Sequence, residues 1–339
     1  MSTQKWISAI YIQLRLGLNK MGNSPFLELV RNELRTRRYS LRTEKVYLHW
    51  IKAFNLFNDK KHPKDMGNHE IERYLNNLAV NRQVSAATQN QALCAIIFLY
   101  RYIINRDISD LRYSFTKREK TMPAVLTHEE ATTIISKLTS THKLIASILY
   151  GCGLRINEAL QLRIKDINLA DCTLFIFRGK GKKDRYTLLP KSLIPAIEIQ
   201  IKKVKQIHDK DLREGFGLSS LPPALLRKYS SAAKDISWQY LLPSTTCCVH
   251  PYDGYICRHH IHGSAFRKQL RQAVLKSDIT KHVKAHTFRH SFATQLLKNG
   301  SDIRTVQELL GHTDLRTTEI YTHVVGTRFS HTMSPLDRE

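Results

Sequence analysis

The sequence predicts a mainly α-helical protein with a small β-hairpin, an α+β fold built as two domains. Three observations lead to this prediction. Apolar residues recur at helical spacing in two segments, Val46, Trp50, Phe54 and Phe57, then Leu93, Ile96, Ile97, Tyr100 and Ile104. Residues 173–177 and 186–189 are short apolar runs on either side of a Gly- and Lys-rich turn, which predicts a hairpin. Residues 113–123 are polar and basic and end in proline, a composition typical of a linker.

Residues 1–23 are interpreted as an N-terminal extension. They mix apolar residues such as Trp6 and Ile10 with Lys and Arg, and they lack a continuous apolar core and a small-residue cleavage site. An export signal is therefore not expected, and Met21 is an alternative start of the protein.

Residues 24–112 are predicted to form a small helical domain. Ser40 is placed to cap the helix that carries Val46 and Trp50. Arg and Lys cover the outer faces of these helices, and Arg42 and Lys45 are candidates for DNA contact. A run of charges is usually a solvated face, but the one-sided net charge of the chain favours the DNA interpretation.

Residues 124–325 are predicted to form the second domain, mostly helical around the hairpin. Thr127 and Glu130 have the spacing of a capping box at its first helix. Asp302 and Gly311 are placed to begin and end a helix near the C-terminus. Residues 326–339 are interpreted as a C-terminal tail.

The charge of the chain indicates its partner. It carries 53 Lys and Arg against 29 Asp and Glu, a formal net charge of +24. Nucleic acid is the expected partner, because Lys and Arg that neutralise phosphates release condensed counterions. A membrane surface is less favoured, since the sequence has no lipidation motif and no apolar run of the roughly 18 residues that a span requires. Six cysteines without dense, even spacing favour a reducing cytoplasm.

Several residues have side chains suited to phosphate chemistry. His286 and Arg289 lie three apart on a predicted helix and so share a face. A guanidinium binds two phosphate oxygens and an imidazole exchanges a proton near neutral pH, although such a pair alone is more often a surface pair. Tyr321 is a potential nucleophile, but a phenol with a pKa of about 10 needs cationic neighbours and a base. Arg155, after a glycine pair, and Lys180, in the hairpin turn, could supply the cations.

Five short motifs occur in a fixed order along the chain. They are Gly-Leu-Arg-Ile-Asn-Glu-Ala (153–159), Gly-Lys-Gly-Lys-Lys-Asp-Arg (179–185), His-Thr-Phe-Arg-His-Ser-Phe-Ala-Thr (286–294), Leu-Leu-Gly-His (309–312) and Ile-Tyr-Thr-His (320–323). Together they resemble the tyrosine recombinase (phage integrase) family, and the resemblance covers nearly all of residues 24–325. It implies an N-terminal helical core-binding domain of the SAM-like type and a C-terminal catalytic domain that close around DNA.

The resemblance implies a reaction that needs no metal and no cofactor. Tyr321 would form a 3′-phosphotyrosyl bond that stores the energy of the cleaved phosphodiester. Arg155 and Arg289 would clamp the scissile phosphate and stabilise its transition state. Lys180 would protonate the leaving 5′-oxygen.

Four further residues receive roles from the same resemblance. His286 would assist proton transfer at the nucleophile, and His312 would hydrogen-bond the phosphate. Glu158 would support the arrangement around Arg155. For His290 two interpretations stay open, helix packing or support of neighbouring side chains on the one hand and direct chemistry on the other.

The chain departs from compact family members by an excess of a few tens of residues at about 215–253. This segment resembles the additional segment of integron integrases, which recombine folded single-stranded cassette sites. Candidates for stacking on extrahelical bases are Trp238, Tyr240, His250 and Pro251. Alternatively, Trp238 and Tyr240 anchor the segment in the core. Candidates for DNA contact at the start of the following helix are Arg258, His259 and His260.

The same region is rich in residues of the types that bind metals. They are Cys247, Cys248, His250, Cys257, His259, His260 and His262. Their order lacks the paired Cys-x-x-Cys spacing of a zinc site, so no metal is expected.

The sequence therefore predicts a site-specific recombinase of the integron integrase type. It would act on folded single-stranded and duplex DNA as a homotetramer, in the bacterial cytoplasm and associated with the nucleoid. One alternative is an Xer-type or phage recombinase that acts on duplex sites. Another is a non-catalytic protein that uses the same fold to bridge DNA.

Overall fold

A computed structural model describes residues 24–108, 111, 122–177, 183–250, 253–315, 317–319 and 321. The predicted fold, mainly α with small β-sheets, is confirmed. The chain divides into two compact units, Met1–Lys120 and Thr121–Glu339. No helix in the described ranges combines the length and the apolar character that crossing a bilayer requires.

The first unit consists of helices around one apolar core. They are α1 (Pro25–Thr36), α2 (Leu41–Phe57), α3 (Asn68–Asn76) and α4 (Ala86–Leu99), with π-helical turns at Asn77–Asn81 and Tyr100–Ile104 and a 3₁₀ turn at Pro63–Asp65. Ser40 caps α2 as predicted, because its hydroxyl accepts a hydrogen bond from the N–H of Thr43 at 3.1 Å. Both predicted apolar stripes contribute to the core, which includes Trp50, Phe54, Leu93, Ile96 and Tyr100.

The second unit contains the remaining elements. Its helices are α5 (His128–Ser136), α6 (Ser140–Gly151), α7 (Ile156–Leu160), α8 (Ile194–Arg213), α9 (Pro223–Lys228), α10 (Gly263–Leu275), α11 (Ala285–Lys298) and α12 (Ile303–Leu310). Its strands are β1 (Ile167–Asn168), β2 (Thr173–Ile176), β3 (Arg185–Leu188), β4 (Cys248–Val249) and β5 (Ile256–Cys257). The described residues 317–319 and 321 are also helical.

The predicted hairpin is the β2–β3 pair of an antiparallel sheet with the order β1-β2-β3. Leu174 pairs with Thr187 on the buried face, and Phe175 pairs with Tyr186 on the opposite face. The hairpin therefore attaches to the core through one face only. A second, two-stranded sheet joins β4 to β5 and places Cys248 opposite Cys257.

Capping interactions fix the ends of the helices that carry or support the site. Thr127 and Glu130 form the predicted capping box of α5. The Asp302 carboxylate accepts hydrogen bonds from the N–H groups of Arg304 and Thr305, each at 2.9 Å, so it caps α12 as predicted. Gly311 ends α12 with φ +64°, a conformation that favours glycine.

Candidate active site

Three arginines, Arg155, Arg185 and Arg289, meet at one buried carboxylate, that of Glu158. Arg155 precedes α7, and its N–H and its Nη1 donate to Glu158 Oε2 (2.9 Å) and Oε1 (2.7 Å). Arg289 Nη1, from α11, lies 3.7 Å from Glu158 Oε2. Burial alone raises the pKa of Glu158, but hydrogen bonds and positive charge from Arg185, together with hydrogen bonds from Arg155, lower it to about 2. Glu158 is therefore ionised, and its carboxylate attracts the guanidiniums of Arg155, Arg185 and Arg289.

The Arg289 side chain is fully buried, which is rare for arginine. Its Nη1 donates to the carbonyl oxygen of Gly153 (2.7 Å), and its Nη2 donates to that of Leu310 (2.5 Å). Its Nε–H has no hydrogen-bond partner within the part of the chain that the structure describes. Burial, and then the charge of Arg155, lowers the pKa of Arg289 to about 9. A buried cation whose donor lacks a partner among the described residues has the chemistry to bind an anion.

His312 follows the glycine that ends α12. Its Nε2 accepts a hydrogen bond from Arg289 Nη2 (3.1 Å), and its Nδ1 contacts the hydroxyl of the buried Thr318 (2.9 Å). Burial, and then the charge of Arg289, lowers the pKa of His312 to about 3, so the ring is neutral. Since Nε2 accepts here, Nδ1 carries the proton and donates to Thr318.

The Tyr321 hydroxyl contacts the imidazole of His290. The distance from His290 Nδ1 to the phenol oxygen is 2.8 Å, and Tyr321 is only 3% exposed. Burial, and then the charge of His286, lowers the pKa of His290 to about 4, so its neutral ring can accept a hydrogen bond from the phenol. Burial raises the pKa of Tyr321, while the charges of Arg289 and Arg155 act to lower it.

His286 lies one helical turn before His290. The two rings meet edge to face, with their centroids 4.6 Å apart. His286 and Arg289 are predicted to share a helix face, but their surroundings differ, because His286 is exposed and Arg289 is buried. The spacing of the motif did not indicate that His290 is the ring that contacts the phenol.

Lys180 lies outside the described residues. The strands that flank its turn are described, and Arg185 at the start of β3 reaches Glu158 with both terminal nitrogens. A cleft of about 390 Å³ opens beside this strand. It is lined by Lys183, Asp184, Arg185, Gln307, Glu308, Gly311, His312 and Thr313.

Arg163, which lies outside the 215–253 segment, contacts both Trp238 and Tyr240 within it. This guanidinium donates to the Trp238 carbonyl oxygen and to the Tyr240 hydroxyl (3.2 Å), and it lies 4.3 Å from the Tyr240 ring centroid. Tyr240 is 7% exposed, whereas Trp238 is half-buried with Lys165 Nζ 3.4 Å from its ring centroid. The burial of Tyr240 favours the anchoring interpretation for that residue.

The other candidates for DNA contact in this region are also engaged within the protein. His250 is 4% exposed and its ring stacks on Tyr255 with centroids 4.6 Å apart. Arg258 forms a two-pronged ion pair with Asp211. Pro251 lies outside the described residues.

His259 and His260 are partly buried beside Tyr240, with ring centroids 5.3 and 5.2 Å from its ring. Burial lowers the pKa of both, that of His260 to about 4. They therefore present neutral rings and no positive charge. In the first unit, by contrast, Arg42 and Lys45 are exposed on α2, as DNA contact would require.

The six cysteines are free thiols. Within the described ranges, no three His, Cys, Asp or Glu side chains are grouped so that they could hold a metal ion.

The sequence did not indicate two contacts of the site, Arg185 with Glu158 and Thr318 with His312. Arg185 stands at the end of the second motif, but nothing in the motif indicated its contact with Glu158. Thr318 lies in a polar stretch, and its contact with His312 depends on how the residues after α12 pack.

Known proteins resemble the chain over both units. A family model described as “Phage integrase family” matches residues 124–328, and one described as “Phage integrase, N-terminal SAM-like domain” matches residues 26–110. An “Integrase/recombinase” of Escherichia coli is 42% identical over 92% of this chain and 93% of its own length. “Tyrosine recombinase XerD” of Oceanobacillus iheyensis is 29% identical over 72% of this chain and 73% of its own length.

Two solved structures share the fold. XerH site-specific recombinase bound to palindromic difH substrate superposes with a TM-score of 0.59, at 22% identity over 95% of this chain and 87% of that one. The Tn1549 transposon integrase in complex with circular intermediate DNA also gives a TM-score of 0.59, at 17% identity over 87% of this chain and 94% of that one.

Proposed function

Because this chain belongs to the phage integrase family of tyrosine recombinases, enzymes that cleave and rejoin DNA, we propose that Tyr321 is its nucleophile. The Tyr321 oxygen attacks the scissile phosphorus and the bond from phosphorus to the 5′-oxygen breaks. The product is a 3′-phosphotyrosyl bond, and attack by another 5′-hydroxyl reverses the step. No ATP is consumed, since one phosphodiester is exchanged for another.

The proposal depends above all on one observation: the Nε–H of Arg289, beside Arg155, is fully buried and has no hydrogen-bond partner among the residues that the structure describes. A scissile phosphate would take this donor and free donors of Arg155, where the charge that develops in the transition state meets two guanidiniums. Glu158 fixes both arginines from the opposite side. When Arg289 Nη2 leaves His312 Nε2 for the phosphate, His312 takes the tautomer with its proton on Nε2 and donates to a phosphate oxygen, while the Thr318 hydroxyl donates to Nδ1.

Two proton transfers accompany cleavage. The phenol proton passes to His290 Nδ1, its partner at 2.8 Å, and His286 assists from the adjoining turn. Lys180 protonates the leaving 5′-oxygen, a role that comes from the family resemblance.

The test is covalent capture of DNA. Fragmented genomic DNA of the host bacterium is incubated with the full chain and denatured with SDS, and the DNA that remains attached to protein is sequenced. We expect Tyr321→Phe to abolish the adduct and to keep DNA binding, while Tyr186→Phe, which changes an exposed tyrosine of β3, leaves both intact. An adduct formed by Tyr321→Phe would disprove the assignment.

For the substrate, we propose folded single-stranded sites, as in integron integrases. Support comes from the 215–253 segment, which Arg163 fixes to the catalytic unit. Of the predicted stacking candidates, Tyr240 and His250 are buried and Pro251 lies outside the described residues, which leaves Trp238. Relatives named XerC and XerD fit a second candidate equally, a recombinase of duplex sites.

Binding measurements separate the two candidates. The captured sequence is prepared both as a folded single strand with extruded bases and as a duplex. We expect tighter binding to the folded strand, and we expect Trp238→Leu to weaken that binding by about 5- to 150-fold, the equivalent of about 1 to 3 kcal/mol. Tyr229→Leu, a half-exposed tyrosine of the same segment, is the control. Tighter binding to the duplex would favour the second candidate.

Strand exchange between two sites requires a nick in each strand of both. We therefore propose a homotetramer as the working assembly on DNA, in the bacterial cytoplasm and at the nucleoid. Mass photometry of the chain on the captured site tests the number of protomers.

A further inference from the structure

We propose that Arg185 is a positioning residue for strand cleavage, which holds both the Arg155–Glu158 pair and the turn that carries His312. The inference rests on the proposed function. Within the described residues, the hydrogen bonds of Arg185 go to Glu158 and to the carbonyl oxygen of Leu309, so its effect passes through these neighbours.

Arg185 occupies both oxygens of the Glu158 carboxylate. Its Nη2 donates to Oε2 at 2.8 Å and its Nη1 donates to Oε1 at 3.2 Å, and the side chain is only 10% exposed. Arg155 donates to the same Oε1 through a single terminal nitrogen. Arg185 pairs with both carboxylate oxygens, and Arg155 contributes only one terminal nitrogen to Glu158. We therefore expect the other side-chain donors of Arg155 to bind the phosphate.

The Arg185 guanidinium also binds the C-terminal end of α12. Its Nε donates to the carbonyl oxygen of Leu309 at 3.0 Å. Gly311 lies directly over the side chain, since a Cβ atom on this glycine would lie 2.7 Å from Arg185 Cδ. The absence of a side chain at Gly311 lets Arg185 pass beneath the turn that leads into His312.

Charge explains why an arginine is required here. Without Arg185, the ionised Glu158 would turn to Arg289, which now lies 3.7 Å away. An ion pair between these two groups would compete with the phosphate for Arg289. Arg185 therefore keeps the two phosphate-binding guanidiniums available for DNA.

The test uses the full chain, the captured cleavage site and the variants Arg185→Gln and Arg185→Lys. Binding is measured by fluorescence anisotropy, and the rate of adduct formation is measured at saturating DNA. A second substrate carries a methylphosphonate at the scissile position, which lacks the charged non-bridging oxygen. Arg213→Gln, which changes an exposed arginine of α8, is the matched control, and thermal melting shows that each variant is folded.

We expect Arg185→Gln to slow cleavage of the phosphodiester by about 10- to 100-fold, with binding changed by less than about twofold. We expect this deficit, and that of Arg155→Gln, to be smaller on the methylphosphonate substrate, because a neutral phosphorus centre needs less stabilisation by guanidiniums. Arg185→Lys keeps the positive charge but lacks the planar set of donors that reaches both oxygens of Glu158. We expect its cleavage rate to lie between those of Arg185→Gln and the unaltered chain.

An equal loss on both substrates, a loss confined to DNA binding, or no loss would each overturn the inference. Failure of the proposed function is distinguishable, because the unaltered chain would then form no adduct on either substrate.

Discussion

At the scale of single residues, burial holds several imidazoles neutral, and its effect is large for three of them. Burial is the main cause, and it lowers the pKa of His260 and of His290 to about 4 and that of His312 to about 3. An unfolded chain would bind protons at these rings near pH 6.5. Between about pH 6.5 and 4 the unfolded state therefore holds more protons than the native state, and stability rises with pH.

We expect the free energy of unfolding to fall when the pH is lowered from about 7 to about 5. Each ring contributes at most about 1.4 kcal/mol per pH unit. Urea unfolding at several pH values measures this dependence. His260→Asn keeps a donor for the carbonyl oxygen of Ile261, which His260 Nδ1 contacts at 2.8 Å, but removes one titrating ring. Its pH dependence should be shallower, and an unchanged slope would contradict the explanation.

The motifs predicted which residues have side chains for phosphate chemistry, but not how those side chains meet. Arg155, Arg289, His312 and Tyr321 lie in separate segments, and the structure brings them together around Glu158 and α11. The choice of His290 as the partner of the phenol depends on how Tyr321 packs against α11. Tertiary packing of this kind leaves no periodic pattern in the sequence.

At the scale of elements, the turn before Arg155 depends on close packing at Gly153. This residue has φ +66°, and a Cβ atom on it would lie 2.3 Å from Phe292 Cδ1. Gly254 has a similar φ of +70°, with nothing within 4 Å of its Cβ position. The two glycines therefore differ in space and not in backbone conformation.

We expect Gly153→Ala to cost more stability than Gly254→Ala. Both alanines lose about 1 kcal/mol to the left-handed backbone, and the contact with Phe292 adds about 1 to 3 kcal/mol at Gly153. Chemical unfolding of the two variants measures the difference. Equal losses would mean that the Phe292 ring yields without cost.

Helices with both an apolar stripe and a cap were predictable from the sequence, as α2, α5 and α12 show. Each has a local signal at its end that agrees with its buried face. The segment at 215–253 has no such agreement. It is built from short turns such as Ser230–Ala233 and Ile236–Trp238, and its attachment depends on Arg163, which lies far away in the sequence.

At the scale of the whole molecule, the net charge of +24 makes DNA binding sensitive to salt. Arg42 and Lys45 are exposed on α2. If both contact phosphates, Arg42→Gln with Lys45→Gln should weaken binding and reduce the slope of log K against log salt by about 2.

Lys60 and Lys64 provide a control of equal charge, because both are exposed in the turns after α2. Their double replacement by Gln should change the slope less. Equal slopes for the two double variants would show that net charge alone, and not the α2 face, governs binding.

The burial of Tyr321 has a consequence for the host chromosome. A net charge of +24 favours binding to DNA of any sequence, and an exposed nucleophile could react wherever the protein bound. The hydroxyl of Tyr321 lies against His290 and only 3% of the residue is accessible. Under the proposed function, cleavage would therefore be confined to DNA that is seated in the site.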